Sequence, residues 1–322
     1  MNFTAGVALS LLLLPLFHTH AQAQAWPSKP VRVVNAYAPG GPTDFVARPI
    51  LQHLSDTFGQ SFYMENKAGA NGNIGAEEVV RAAPDGYTLL VGTNSQVTIN
   101  TALYKMPFDA QRDLAPITQI STNPSSIVLN AAFPAKNMQE LITYARANPG
   151  KLVFGSAGPG SINHLAGELL ATLTGTKLLH VPFKGGGPTI TELLAGRIDL
   201  FIVSPPLVLP HVKAGKLKIV MLSADKRMAQ IPDVPTMTEA GLPEFRAAGG
   251  TGMLAPSKTP PPIIRRLQSE IAKFLRSQEG EAKFADLGIQ IVASTPEEYA
   301  QVIREETTRW TAVVRAGNIK AE

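Results

Sequence analysis

The sequence predicts an α/β protein with largely parallel sheets, folded as two hinged lobes. Short apolar, β-rich runs alternate with helical patterns along most of the chain, as they do where strands are joined through helices. The connections are unusually rich in glycine, and the same kind of turn occurs in both halves. The last quarter then returns to glycine- and proline-rich chain over residues 245–262 and to two amphipathic helices, so one domain is left and re-entered. Leaving and re-entering requires two crossovers, which is the pattern of a hinged binder.

Val31 to Tyr37 reads as the first strand, after which Phe45, Arg48, Leu51, Leu54 and Phe58 recur at helical spacing. Ala76 to Ala83 is helical and Tyr87 to Val91 is a strand. Ile117 to Asn130, an extended stretch holding Pro124, joins the halves. In the second half Met138 to Ala147 is a helix and Lys151 to Phe154 a strand. Leu178 to Phe183, Asp199 to Val203 and Leu217 to Leu222 are further buried strands, separated by helical Ile190 to Ala195 and Leu207 to Ala214. Ile263 to Ser277 and Pro296 to Ala316 are the closing helices. Parallel sheets of this kind place binding residues at the carboxyl ends of their strands.

Composition narrows the function. With 322 residues, 44% hydrophobic and 17% charged, the chain can bury two cores, and disorder is excluded as its default state. Val7 to Phe17 is almost wholly apolar and is followed by the small-residue pattern Ala21-Gln-Ala23-Gln-Ala25 before Trp26. This reads as a secretory signal peptide removed near Ala25, too short and too interrupted by Pro15 to anchor in a membrane. The mature chain is therefore expected to be exported, as a soluble monomer. Lys and Arg outnumber Asp and Glu by 29 to 25, a formal charge of +4, but the basic residues are scattered and lack interleaved aromatics, which argues against nucleic acid. The absence of cysteine removes disulfides, thiolate chemistry and iron–sulfur ligation together.

The glycine loops are Pro39-Gly40-Gly41, Gly69 to Gly75, Gly92 to Ser95, Gly155 to Ser161 and Lys184 to Pro188. Backbone N–H groups at a helix start lack internal partners, and the helix dipole is positive there. Glycine lets the backbone approach a ligand closely, so several such loops around one cleft can hold an anion without arginine. Taken singly, each loop is as well explained by a tight strand-to-helix turn. Asp44 is either a helix cap, the favoured reading, or a contact to a ligand amine, hydroxyl or protonated group, and Thr43 is an equally good cap. Lys184 either steers an anion or stays solvated.

Catalytic templates are not met. There is no G-x-S-x-G elbow, H-E-x-x-H or Walker loop. Gly250-Thr-Gly252-Met-Leu-Ala255 satisfies G-x-G-x-x-A, but the prolines that follow prevent a dinucleotide-binding helix. Ser161 and His164 lack an evident third partner. His164 and Glu168 are four apart, a spacing better read as a helix-face hydrogen bond than as half of a metal site. No cofactor, metal or enzymatic activity is expected.

The blocks "WPSKPVRVVNAYAPGGPTDFVAR", "ENKAGANGNIGAE", "PDGYTLLVGTNS", "GSAGPGSINHLAGELL", "VPFKGGGPTITELLAGRIDL", "IPDVPTMTEAG" and "STPEEYAQVIREETTRWTAVVRAGNIKAE" resemble, in order, the substrate-binding receptors of tripartite tricarboxylate transporters, the Bug family. The resemblance covers essentially the whole mature chain. It implies a type II periplasmic binding protein, with a ligand cleft between two α/β lobes joined by a two-strand hinge. Residues 26–122 and 249–322 would form lobe 1, and 123–248 lobe 2. It further implies a ligand carboxylate held by backbone amides and ordered water from two facing loops, one of Pro39, Gly40, Gly41, Thr43 and Asp44, the other of Ser156, Ala157, Gly158, Pro159, Gly160 and Ser161. Ser95 and Ser204 would stand at other strand ends opening on the cleft. The chain departs from the family pattern at Ala247-Ala-Gly-Gly-Thr251 and at Ser204, which implies a roomier pocket and a bulkier, partly apolar or aromatic carboxylate.

The partner implied is an integral membrane transporter. A periplasmic sensor presenting its carboxylate-bound form to a two-component kinase would use the same cleft. A secreted hydrolase working through Ser161 and His164 is the alternative that involves chemistry.

Overall fold

A computed structural model describes residues 26–320 apart from Ala38, Gly40, Gly41, Lys184, Leu287 and Gly288, so the expected export segment, 1–25, lies outside the described residues. β1 (Val31–Asn35) leads into α1 (Pro42–Phe58), β2 (Phe62–Asn66) into α2 (Asn73–Val80), and β3 (Thr88–Thr93) into the short helices α3 (Asn94–Thr98), α4 (Asn100–Leu103) and α5 (Ala110–Asp113). β4 (Leu114–Pro124) then runs on into β5 (Ser126–Asn130). After it come α6 (Met138–Ala147), β6 (Val153–Ser156), α7 (Ile162–Thr174), β7 (Leu179–Pro182), α8 (Gly186–Leu194), β8 (Leu200–Val203), α9 (Leu209–Lys213) and β9 (Leu217–Leu222). The chain returns through β10 (Ala248–Pro256) and closes with α10 (Pro261–Leu275), α11 (Gln278–Asp286), β11 (Gln290–Ile291) and α12 (Pro296–Ala316).

Two sheets result, in the orders β11-β4-β10-β3-β1-β2 and β7-β6-β8-β5-β9. The expectation of largely parallel sheets needs correction, because both are mixed. β1 is parallel to β2 and β3, and β6 to β7 and β8. The strands that carry the chain between the sheets enter antiparallel: β10 against β3 and β4, and β5 against β8 and β9. β7 is likewise an edge strand with Leu179 half exposed, not a buried one.

β4 and β10 pair from Leu114 opposite Pro256 to Pro124 opposite Ala248, and the two crossings between sheets lie where that ladder ends. There Ser125 N donates to Ala247 O (3.2 Å), Ser223 N to Ser125 O (2.8 Å) and Ala247 N to Ser223 Oγ (2.7 Å). The G-x-G-x-x-A lookalike is this hinge strand. A Cβ at Gly252 would overlap the buried Tyr299 ring, and one at Gly250 would come within 2.8 Å of Asn94 Nδ2. The glycines are seats for side chains, and Ala247 to Thr251 lies at the crossing between the sheets.

α12 begins with a capping box, Thr295 with Glu298, and spans both cores. Tyr299 and Ile303, near its start, pack with Val34, Leu90 and Leu254 of the first sheet. Trp310, Val313 and Val314, two turns on, join Leu129, Leu165 and Phe245 in the cluster built on the second sheet. Between these lies Glu306, beside Asn94 and Thr98, where burial pushes its carboxyl up to about 7. The folded protein holds this proton more tightly than the unfolded chain, whose ordinary value is 4.5, so the stabilisation is complete below that pH and is lost as pH rises through about 7. Glu306→Gln should therefore flatten the decline of the denaturation midpoint across that window. A variant whose pH profile overlays the wild type would show that Glu306 titrates normally.

Candidate functional site

The first loop is held from below by asparagines that end two neighbouring parallel strands, Asn35 of β1 and Asn66 of β2, which pair in register. Asn35 Nδ2 donates to Asp44 Oδ1 (2.9 Å), and Asn35 Oδ1 accepts from Thr43 Oγ1 (2.9 Å) and Tyr37 N (3.2 Å). Asn66 Nδ2 donates to Tyr37 O (2.8 Å) and Asp44 Oδ1 (3.2 Å). Arg48, one turn along α1, donates to Asp44 Oδ2 through Nη2 (2.9 Å) and Nε (3.2 Å). Thr43 and Asp44 are buried, and both carboxylate oxygens of Asp44 are engaged in holding β1, β2 and α1 together. Gly40 and Gly41 lie outside the described residues, as does Lys184; Pro39 is exposed.

Tyr37 extends this network, its Oη 2.7 Å from Thr93 Oγ1 and 3.5 Å from Asn71 O. Burial pushes its phenol up. Asn71 and Asn100 are tied twice, through Asn71 Nδ2 to Asn100 Oδ1 (2.8 Å) and Asn100 Nδ2 to Asn71 O (2.9 Å). Ser95 sits half-buried in α3 within this segment. Thus β3, α3 and α4 carry one wall of polar side chains between the first loop and Leu103.

Leu103 is where the second loop meets that wall. A Cβ on Gly160 would come within 2.7 Å of Leu103 Cδ1, so glycine admits the contact, and its φ of 70° is one that side-chain-bearing residues rarely adopt. Ser156 is fully buried at the end of β6. Its Oγ accepts from Gly158 N (3.1 Å) and lies 2.7 Å from His180 Nε2. Ser161 is the N-cap of α7: its Oγ accepts from His164 N (3.3 Å) and donates to Gly158 O (2.6 Å). Ala157 O accepts from Gly185 N (3.2 Å). Pro159 lies in the same turn, and Ser204 is half-buried where β8 ends, near Asn163, whose Nδ2 donates to Ile202 O (2.7 Å).

The hydrolase alternative loses its geometry here. The Ser161 hydroxyl proton goes to Gly158 O, and His164 Nδ1 accepts from Gly160 N (3.1 Å), so the imidazole is not a base on that serine. His164 Nε2 is 3.8 Å from Glu168 Oε1, the helix-face approach the spacing suggested. Among the described residues no group of three His, Cys, Asp or Glu could hold a metal ion, and no helix is long and apolar enough to cross a membrane.

Asn35, Asn66, Tyr37, Asn100, Leu103 and His180 were missed in the sequence. The one available signal was an asparagine closing each of the apolar runs before "AYAPGG" and "KAGANG".

Comparison with known proteins adds three kinds of likeness. A family model described as the tripartite tricarboxylate transporter family receptor matches residues 46–319. Protein BugT of Bordetella pertussis is 34% identical over 319 residues, covering 98% of this chain and 95% of that protein. Among solved structures, R. palustris Rpa4515 with adipate is 33% identical with a TM-score of 0.76, covering 92% of this chain and 99% of its own. MatC from Rhodopseudomonas palustris with bound malate is 34% identical with a TM-score of 0.73, covering 90% and 100%.

Proposed function

Because the chain belongs to the tripartite tricarboxylate transporter receptor family, we propose that it is an exported periplasmic receptor that traps a small organic carboxylate between two lobes and delivers it to an integral membrane transporter. The moving bodies are residues 26–122 with 249–322, and residues 123–248, turning about β4 and β10, with the end of α12 seated in the second core. Ligand binds one lobe while the cleft is open, contacts from the other favour the closed form, and their differential strength drives closure. No covalent step is needed.

The observation that carries this reading is the capped start of α7. Gly158 and Gly160 donate their amides within the loop, to Ser156 and His164, so they shape the site and do not hold the ligand. The amides of Ile162 and Asn163 open the helix behind the Ser161 cap, where the first N–H groups have no partner within the helix and the dipole favours an anion. That is where the carboxylate sits. The adipate and malate in two related structures are consistent with this ligand class.

Thermal denaturation of residues 26–322 against mono-, di- and tricarboxylates and their neutral amides tests the reading. A ligand at a hundred times its dissociation constant should add about 2.7 kcal/mol of stability. A melting shift with an acid and none with its amide is the expected result. No shift with any acid, after unfolding and refolding to strip carried-over ligand, would overturn it.

A further inference from the structure

Two histidines stand directly behind the Ser156 to Ser161 loop. His180 lies opposite Phe154 across the β6–β7 ladder, and its ring stacks on that phenyl with centroids 4.8 Å apart. His164, from the first turn of α7, stacks on His180 at 3.8 Å and 8° between planes, with its centroid 6.3 Å from that of Phe154. Each imidazole then reaches one end of the loop: His180 Nε2 is 2.7 Å from Ser156 Oγ, and His164 Nδ1 accepts from Gly160 N at 3.1 Å. Gly167 lets α7 lie close enough for this, since a Cβ there would overlap the Phe154 ring.

We propose that His164 and His180 are positioning residues for ligand capture, a stacked pair that fixes both ends of the carboxylate-binding loop and works only while uncharged. The proposal rests on reading the start of α7, which that loop shapes, as the carboxylate site. Its logic is set by hydrogens. A backbone N–H can only donate, so His164 Nδ1 must present its lone pair and carry its proton on Nε2, the nitrogen facing Glu168. Protonating Nδ1 would turn a donor toward the Gly160 donor and release that end of the loop. Charging both rings would also set two cations face to face.

The surroundings favour the neutral state. Burial holds the His164 imidazole below its ordinary value, and burial together with His164 lowers His180 to about 4. Glu168, on α7 itself, is the ionisable group that approaches the pair, and burial pushes its carboxyl up, toward neutrality. Phe154 on β6 and Ser156 at its end bring no charge to the pair. Among the described residues, the one charged neighbour that adds to burial in lowering either imidazole is His164 acting on His180.

The test compares wild type, His164→Asn, which keeps an acceptor near the Nδ1 position, and His164→Phe, which keeps the ring and removes it. Calorimetric titration with adipate as probe, from about pH 7.5 down to about pH 4.5, spans the range over which a histidine changes charge. At neutral pH, His164→Phe should lose about tenfold or more in affinity, as an unpaired buried donor costs, while His164→Asn stays close to wild type. Toward acid, wild type should weaken more steeply than His164→Asn, which carries any titration of the ligand itself. Superimposable pH profiles, or full affinity in His164→Phe, would overturn the proposal. A ligand-free measurement separates this from failure of the carboxylate reading. In wild type, nitrogen NMR should show the Nε2–H tautomer of His164, and the Gly160 amide should follow its titration. If adipate fails to bind, this measurement decides alone, and an Nδ1–H tautomer or an indifferent Gly160 amide would refute the positioning role.

Discussion

Replacing Trp310 with alanine should lower stability by about 3–5 kcal/mol, the range for deleting a large aromatic side chain from a packed core. Trp310 is 1% exposed and lies in the cluster of Leu129, Leu165 and Phe245, although its helix starts among the side chains of the other sheet. The loss should appear as a lower denaturant midpoint. Trp310→Phe should recover much of it, because the ring still fills most of the volume. A loss under about 1 kcal/mol would mean that the end of α12 does not belong to the second core, and that the two sheets are joined by the hinge strands alone. The location matters for motion as well as stability. A helix rooted in both cores would have to flex or slide for the lobes to turn as proposed.

Asp44→Ala should cost about 3 kcal/mol and carry ligand binding away with it. The carboxylate accepts from Asn35 and Asn66 at the ends of β1 and β2 and from Arg48 on α1, and its removal takes the acceptor of the buried Asn35 amide and one of the two acceptors of the half-buried Asn66 amide. Arg48→Ala should cost under about 1 kcal/mol, because the arginine side chain is 61% exposed and an ion pair in water is weak. The contrast between these variants separates the hydrogen-bonded network from the ion pair. Equal losses from both, or an Asp44→Ala protein within about 0.5 kcal/mol of wild type, would contradict the network. The same geometry bears on whether Asp44 caps a helix or touches ligand. Oδ1 accepts from Asn35 and Asn66, and Oδ2 accepts from Arg48, whose guanidinium offsets the negative charge.

Much of the architecture was legible because burial leaves a local trace. The apolar runs that became β1, β3, β8 and β9, the helical spacing of α1, and the crossover at Pro124 could each be read within a dozen residues. Other elements left no such trace. β2, "FYMEN", is an edge strand with a mostly half-exposed pattern, and β11 is two residues long. The segment "NSQVTINTAL" reads as a polar loop by composition, yet it forms α3 and α4 with Asn94, Gln96, Thr98 and Asn100 buried. Two of its polar atoms find partners far away in sequence: Gln96 Nε2 donates to Gly72 O, and Asn94 Oδ1 accepts from Tyr299 Oη across 205 residues.

The amino-acid sequence by itself determined the alternation of strands and helices, the double crossing, the glycine turns and the family likeness, all of which depend on residue types and their order along the chain. The tertiary structure alone decided that both sheets are mixed, that Gly250 and Gly252 seat Asn94 and Tyr299 in the hinge, and that His180 meets His164 behind the second loop. The physical reason is one of range. Hydrophobic periodicity records which face of an element leaves water, whereas the partner of a buried polar group depends on which distant segment folds against it.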